Sequence, residues 1–109
     1  MEKALGKLQE FKQRATKAAV YGHREYNPGW HTALDLTHLL TISEAITRSA
    51  INRKESRGGH FREDFPNKDA EAATYNIVVK KGPDGAMELR HQPIPEMPAE
   101  LKAVIEEMK

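Results

Sequence analysis

The chain has 109 residues, which allows one domain, and its 17 basic and 16 acidic residues leave a formal net charge of +1. This balance gives no general electrostatic attraction to nucleic acid or to an anionic membrane surface. Cysteine is absent. The sequence contains neither a secretory signal nor an apolar run of the roughly 20 residues needed to span a membrane. We therefore expect a cytoplasmic protein that does not insert into a membrane.

Two long helices are predicted in the first half of the chain. Apolar residues at three- and four-residue spacing predict a helix over residues 2–21 that stops at Gly22. A turn at residues 26–29 separates it from a second helix over residues 30–54, whose apolar side chains cover more than one face. Two helices cannot bury that second helix fully. We therefore expect a third helix from another segment or another chain, and self-association is one way to supply it.

The second half of the chain predicts a hairpin and a short helix. Apolar and polar residues alternate over residues 75–80 and 87–91, and the turn sequence Gly82-Pro83-Asp84-Gly85 lies between them. Three prolines then form an extended connector. A C-terminal helix follows, and we expect its apolar stripe to pack in the core. This stripe consists of Leu101, Val104, Ile105 and Met108.

The predicted fold is therefore mainly α. Residues 1–66 form the helical-bundle portion, and residues 67–109 form the β-hairpin and the C-terminal tail of the same domain.

The most distinctive segment of the chain is a signature at residues 53–66 that reads RKESRGGHFREDFP. It resembles the signature near the C-terminus of the flavoprotein subunits of succinate dehydrogenase and fumarate reductase. That family typically reads Arg-Lys-Glu-Ser-Arg-Gly-Ala-His, then Arg, Asp and Pro at the positions of Arg62, Asp64 and Pro66. The similarity extends without gaps over roughly residues 4–95. It departs at Gly59, where Ala is commoner, and at Ala73 and Asn76, where many membrane-bound respiratory members carry Trp and His.

The resemblance implies two long antiparallel helices of a three-helix, spectrin-repeat-like bundle, followed by a small β extension. It also implies a parent protein that interconverts succinate and fumarate through FAD and passes electrons to an iron–sulfur subunit. Such a parent is either cytoplasmic or peripheral at the cytoplasmic face of the membrane. The chain then resembles an excised fragment or the product of a split gene.

In this family the FAD-binding and catalytic segments lie upstream of the matching region. We therefore expect no catalytic, cofactor-binding or metal-binding residue in this chain, and no activity from the chain alone. Aspartate oxidases and adenylylsulfate reductases share the architecture and are alternative relatives. An independent helical interaction module is the alternative from another functional class.

Within the signature, carboxylates and guanidinium groups are spaced to form ion pairs, since the planar arginine fork pairs well with carboxylates. The adjacent glycines permit a sharp turn through positive φ. The residues alone favour a solvated helix end, whereas the resemblance favours a corner that docks against the FAD-binding and capping domains of the parent. The predicted docking residues are Arg53, Glu55, Ser56, Arg57, Gly58, His60, Arg62 and Asp64.

Other candidate sites carry less weight. His31, Asp35 and His38 share one helical face, but no fourth zinc ligand is evident, so a polar stripe is the preferred interpretation. Glu44 and Glu55 are expected to be surface residues of the second helix. No nucleophile and base are suitably paired, and basic residues near the signature alternate with acidic ones, which argues against nucleic-acid binding.

Overall fold

The computed structural model describes residues 1–108, and the predicted mainly α fold is confirmed. Two long helices come first, and a two-stranded antiparallel hairpin and a short helix follow. A single 3₁₀ turn, Ala72–Thr74, precedes the hairpin. The elements are α1 (Glu2–Ala15), α2 (Pro28–Asn52), β1 (Tyr75–Lys81), β2 (Met87–Pro93) and α3 (Ala99–Glu107).

Helix α1 is shorter than predicted, because it ends at Ala15 and not near Gly22. Its last turn closes when the Thr16 amide donates to the Lys12 carbonyl and the Thr16 hydroxyl donates to the Gln13 carbonyl. The side chains of residues 16–26 are all exposed. Helical periodicity without a surface to pack against does not sustain a helix in water, and this explains the error.

Helix α2 begins close to its predicted start. Asn27 is its N-cap, and the Asn27 side chain accepts hydrogen bonds from the amides of Gly29 (3.0 Å) and Trp30 (3.3 Å). Pro28 occupies the first helical position, where its missing amide hydrogen costs no helical hydrogen bond. The sequence Asn-Pro-Gly thus both ends the preceding loop and starts the helix.

Helices α1 and α2 pack antiparallel: Gln9 bonds to Glu44, whereas Ala15, later in α1, lies beside Leu40, earlier in α2. The core between them is thin: Leu40 is buried at 8% exposure. The neighbouring polar residue Glu44 is also buried, and it accepts hydrogen bonds from Gln9, Lys12 and Arg48. Burial raises the pKa of Glu44, but the hydrogen bonds from Lys12 and Arg48 outweigh it and lower the pKa overall. The expectation that Glu44 is a surface residue was therefore wrong.

The hairpin pairs Tyr75 with Pro93 at one end and Lys81 with Met87 at the other. The predicted hairpin is confirmed, and the turn between the strands contains Gly85 at φ +82°. Burial does not alternate strictly along the strands, since Val78 and Glu88 are half-buried like their neighbours. The Tyr75 and His91 rings stack at 3.9 Å between centroids, and the Asn52 side chain at the end of α2 lies 2.7 Å from His91 Nε2. These contacts hold the open end of the hairpin against the C-terminus of α2.

Helix α3 forms as predicted, but the expectation that its apolar stripe packs in the core was wrong. The side chains of Leu101, Val104, Ile105 and Met108 are all exposed. The Cα radius of gyration is 19.9 Å, well above the roughly 13 Å of a compact 100-residue domain. No helix within residues 1–108 is both long and apolar enough to cross a lipid bilayer.

Candidate functional site

Glu55 is the centre of the folded signature, and its side chain is entirely buried at 0% exposure. One carboxylate oxygen accepts from Arg53 Nη1 at 2.5 Å and from Arg57 Nε at 3.0 Å. The other accepts from Arg57 Nε at 3.1 Å and from the Asp69 amide at 2.9 Å. A buried carboxylate is costly unless it is paired and hydrogen-bonded, and here both oxygens are satisfied. The expectation of a surface position for Glu55 was wrong.

These partners determine how Glu55 titrates. The hydrogen bond from Arg57, the amide of Asp69 and the hydrogen bond from Arg53 lower its pKa to about 2 against the opposing effect of burial. Glu55 is therefore a carboxylate throughout the neutral range. It is stable as an anion and unsuited to accept or release a proton near neutral pH.

Arg53 and Arg57 connect Glu55 to the segment that follows the signature. Arg53 donates to the carbonyls of Ala72 (3.0 Å) and Tyr75 (3.3 Å), where the hairpin begins. Arg57 donates to the Asp69 carbonyl at 2.9 Å. The cluster of Arg53, Glu55 and Arg57 thereby fixes the start of the hairpin to the C-terminal end of α2.

Arg62 caps the C-terminus of α2. Its Nη1 donates to the carbonyls of Ala50, Ile51 and Arg53, each at 3.0 Å. The final carbonyls of a helix have no partner within the helix, so a buried cation at this position satisfies them and complements the helix dipole. The remaining guanidinium edge pairs with Asp64 at 2.6 and 2.9 Å and thereby lowers the pKa of Asp64.

Ser56 holds the loop in register between these two clusters. Its hydroxyl accepts from the Arg62 amide at 2.8 Å and lies 2.8 Å from the Phe65 carbonyl, to which it donates. The Ser56 amide donates to the Asn67 carbonyl at 3.1 Å. Residues 53–72 therefore form a loop closed by its own polar side chains.

The exposed tip of this loop is the turn from Arg57 to His60. The Arg57 amide donates to the His60 carbonyl at 2.8 Å, and the His60 amide returns a bond to the Arg57 carbonyl at 3.0 Å. Gly58 has φ +58°, which favours glycine. A Cβ on Gly59 would meet nothing within 4 Å, so the alanine that is common at this position of the resembled signature would also fit. Phe61 follows with 71% of its surface exposed.

The structure thus separates the predicted signature residues into three groups. Arg53, Glu55 and Arg57 form one cluster. Arg62 and Asp64 form another with Ser56, whose hydroxyl accepts from the Arg62 amide, and Gly58 and the half-buried His60 lie in the turn between them. Sequence reasoning missed Asp69, whose amide binds Glu55 and whose carboxylate accepts from the Glu71 and Ala72 amides. It missed this residue because Asp69 lies outside the charged segment. Within residues 1–108, no three His, Asp or Glu side chains are arranged to hold a metal ion.

Comparison with known proteins identifies the family. The model described as "Fumarate reductase flavoprotein C-term" matches residues 1–105. The chain therefore belongs to the family of C-terminal domains of succinate dehydrogenase and fumarate reductase flavoproteins, as the signature predicted.

Individual relatives agree with this assignment. The chain is 32% identical over 95 residues to the fumarate reductase flavoprotein subunit of Mycobacterium tuberculosis, an alignment covering 86% of this chain and 16% of the relative. It is 30% identical over 83 residues to the L-aspartate oxidase of Streptomyces coelicolor, covering 75% and 14% of the two chains. The structure of Mycobacterium smegmatis Sdh1 in complex with UQ1 matches with a TM-score of 0.87 and 35% identity, over 96% of this chain and 18% of that one. The chain thus spans about one sixth of the length of these relatives.

Proposed function

We propose that this chain is the part of a larger FAD-containing protein that packs against its FAD-binding and capping domains. The parent would interconvert succinate and fumarate and pass electrons to an iron–sulfur subunit, as a cytoplasmic or peripheral membrane protein. Family membership and the small share of each relative that the chain spans support this role.

The observation that carries the proposal is a set of exposed apolar side chains on one face of α2 together with the signature turn, which we name the docking face. It runs along α2 through three half-exposed or more exposed apolar side chains and ends at the signature turn. A cleft of about 470 Å³ lies beside Ile46 and joins α2 to the turn. Large exposed apolar patches of this kind mark interaction surfaces. The docking face comprises Leu39, Ile42, Ile46, His60 and Phe61.

The signature loop suits a docking role because it is held from within. Glu55 and Arg62 satisfy their own polar atoms inside this chain, and Phe61 beside the turn is exposed. A surface that is already ordered loses less conformational entropy when it binds. The buried ion pairs thus would stabilise the corner, and the exposed turn would make the contact.

The test uses the full-length flavoprotein, with flavin content and succinate-dependent dye reduction as readouts. Ile46→Asp places a charge on the docking face and is expected to lower the FAD retained per protein and the dye-reduction rate together. Leu34→Asp is the matched control, because Leu34 is also a half-exposed apolar residue of α2 but lies outside the docking face. Normal flavin content in the Ile46 variant would contradict docking through this surface.

The chain by itself is expected neither to retain FAD nor to oxidise succinate. Its described residues contain no pair of groups poised for acid–base work, and cofactor chemistry requires a protein that positions the flavin. A flavin absorbance band in the purified chain would contradict this. An open reading frame upstream of Met1 that encodes a glycine-rich dinucleotide-binding motif would support the larger protein, whereas a stop codon there would favour an independent interaction module.

A further inference from the structure

Phe61 is held in place by the residues on either side of it and yet is not covered by this chain. The carbonyl oxygen of Arg53, at the end of α2, accepts from His60 Nε2 at 3.3 Å and from Arg62 Nη1 at 3.0 Å. His60 and Arg62 therefore both reach back to the same backbone atom. The side chain of Phe61 between them is 71% exposed, so the chain fixes its position and leaves its apolar surface in water.

Further hydrogen bonds order the backbone before and after Phe61. Arg57 and His60 exchange amide–carbonyl bonds of 2.8 and 3.0 Å across the turn that precedes it. After it, the amide of the buried Arg62 donates to the Ser56 hydroxyl at 2.8 Å. When such a residue binds a partner, only the conformational freedom of its own side chain is lost, and the entropic cost of binding is small.

The other phenylalanine of the signature is used within the chain. Phe65 is half-buried, and the Arg62 guanidinium lies over it with Cζ 4.6 Å from the ring centroid. Within residues 1–108, Phe61 makes neither a ring–ring nor a cation–π contact. Exposed aromatic side chains on an ordered backbone are the type of residue that supplies much of the binding energy at an interface.

We propose that Phe61 is the anchor residue of the docking face and inserts into an apolar pocket in the upstream part of the same flavoprotein. The inference rests on the proposed function and adds both the residue that carries the contact and the chemistry of its receptor. The upstream part is the favoured occupant because this chain spans about one sixth of its relatives and matches a C-terminal family model. The rest of such a polypeptide is tethered to this chain and therefore present at a high effective concentration.

The charges near Phe61 favour an apolar receptor over a polyanion. Arg62 is paired with Asp64, and Arg57 is paired with Glu55. Because these arginines are neutralised within the chain, the turn carries no basic cluster that would attract nucleic acid or anionic lipid. The exposed ring is then the feature that a partner can recognise.

Thermal unfolding of Phe61→Ala in the isolated chain and in the full-length flavoprotein tests the energetic part of the proposal. The isolated chain should keep its melting temperature, because the ring is exposed there. The melting temperature of the full-length protein should fall by about 2 °C or more. Phe61→Leu, which keeps an apolar side chain, should restore most of that loss. Phe11→Ala is the matched control, since Phe11 is an exposed phenylalanine of α1 outside the docking face and its loss should affect both proteins alike.

Photo-crosslinking identifies what covers the ring. Phe61→p-benzoylphenylalanine keeps an aromatic side chain, and after illumination of the full-length flavoprotein its crosslinks should map by mass spectrometry to apolar residues of the upstream part. Crosslinks to the iron–sulfur subunit or to a second copy would overturn the proposal, and so would the absence of crosslinks or an unchanged melting temperature for full-length Phe61→Ala.

The same experiments separate this inference from the proposed function. If Ile46→Asp lowers the flavin content while Phe61→Ala leaves the melting temperature of the full-length protein unchanged, docking stands and Phe61 is not its anchor. If neither variant has an effect, both the docking face and its anchor are wrong.

Discussion

The carboxylate of Glu55 and the guanidinium of Arg57 meet although one is entirely buried and the other lies at the surface. Arg57 Nε is 3.0 and 3.1 Å from the two oxygens of Glu55, while 38% of the Arg57 side chain is exposed. Arg53 approaches the same carboxylate from the hairpin side. The ion pair between Glu55 and Arg57 therefore joins the interior of the signature loop to its turn. The strength of this pair should contribute to the free energy of unfolding of the chain.

Glu55→Gln should destabilise the chain strongly. The neutral amide loses the charge-assisted bonds to Arg53 and Arg57 and leaves these cations without their buried counter-charge. We expect the melting temperature to fall by roughly 10 °C or more in a thermal unfolding experiment. Glu63→Gln, at an exposed position of the same segment, is the control and should leave the melting temperature nearly unchanged. Equal melting temperatures for the two variants would mean that the Glu55 network does not stabilise the fold.

Acid should unfold the chain over a defined range of pH. The pKa of Glu55 is lowered from 4.5 to about 2 in the folded state by Arg57, the Asp69 amide and Arg53. A lowered pKa stabilises the fold above the unfolded-state value, so this contribution is complete above pH 4.5 and is lost as pH falls from 4.5 towards 2. Urea unfolding at several pH values should show a declining free energy of unfolding in this window. Glu55→Gln should give a shallower decline, and an identical slope would exclude Glu55 as the source.

Leu40→Ala and Leu39→Ala should differ sharply although the residues are neighbours. Leu40 is 8% exposed between the two long helices, whereas Leu39 is 56% exposed. We expect Leu40→Ala to lower the free energy of unfolding by about 2–3 kcal/mol through lost burial and a cavity. Leu39→Ala should change it by less than about 0.5 kcal/mol in the isolated chain. Urea denaturation measures the free energy of unfolding of both variants. A larger loss for Leu39→Ala would show that α2 buries the face carrying Leu39 and not the face carrying Leu40.

Asn27→Ala should weaken the start of α2. The Asn27 side chain accepts from the Gly29 and Trp30 amides, and the Trp30 amide also donates to the Asn27 carbonyl at 3.2 Å, so loss of the side chain removes the cap bond to Gly29 and weakens the bonding of Trp30. We expect a loss of about 1 kcal/mol in the free energy of unfolding. Asn27→Asp keeps the acceptor and places a negative charge at the helix N-terminus, so it should retain most of the stability. If both substitutions cost the same, the hydrogen bond from Asn27 to the Tyr21 carbonyl matters more than the cap.

Features determined by neighbouring residues could be predicted from the sequence. Asn27-Pro28-Gly29 marks the start of α2, and the turn residues from Gly82 to Gly85 mark the hairpin. The signature identified the family because its residues are contiguous. The burial of α3 was predicted wrongly, because an apolar stripe shows that a helix has a surface to cover but not whether this chain covers it.

The sequence by itself determined the helices α2 and α3, the hairpin and the family, since capping, turn formation and alternation act over a few residues. Only the tertiary structure decided that α1 ends at Ala15, that Glu44 and Glu55 are buried, and that Arg62 caps α2. These facts depend on contacts between distant parts of the chain, such as Lys12 with Glu44 and Asp69 with Glu55. The sequence around a charged residue looks the same whether its side chain is exposed to water or buried against a partner. The packing of α1, α2 and the signature loop determines whether that side chain is exposed or buried.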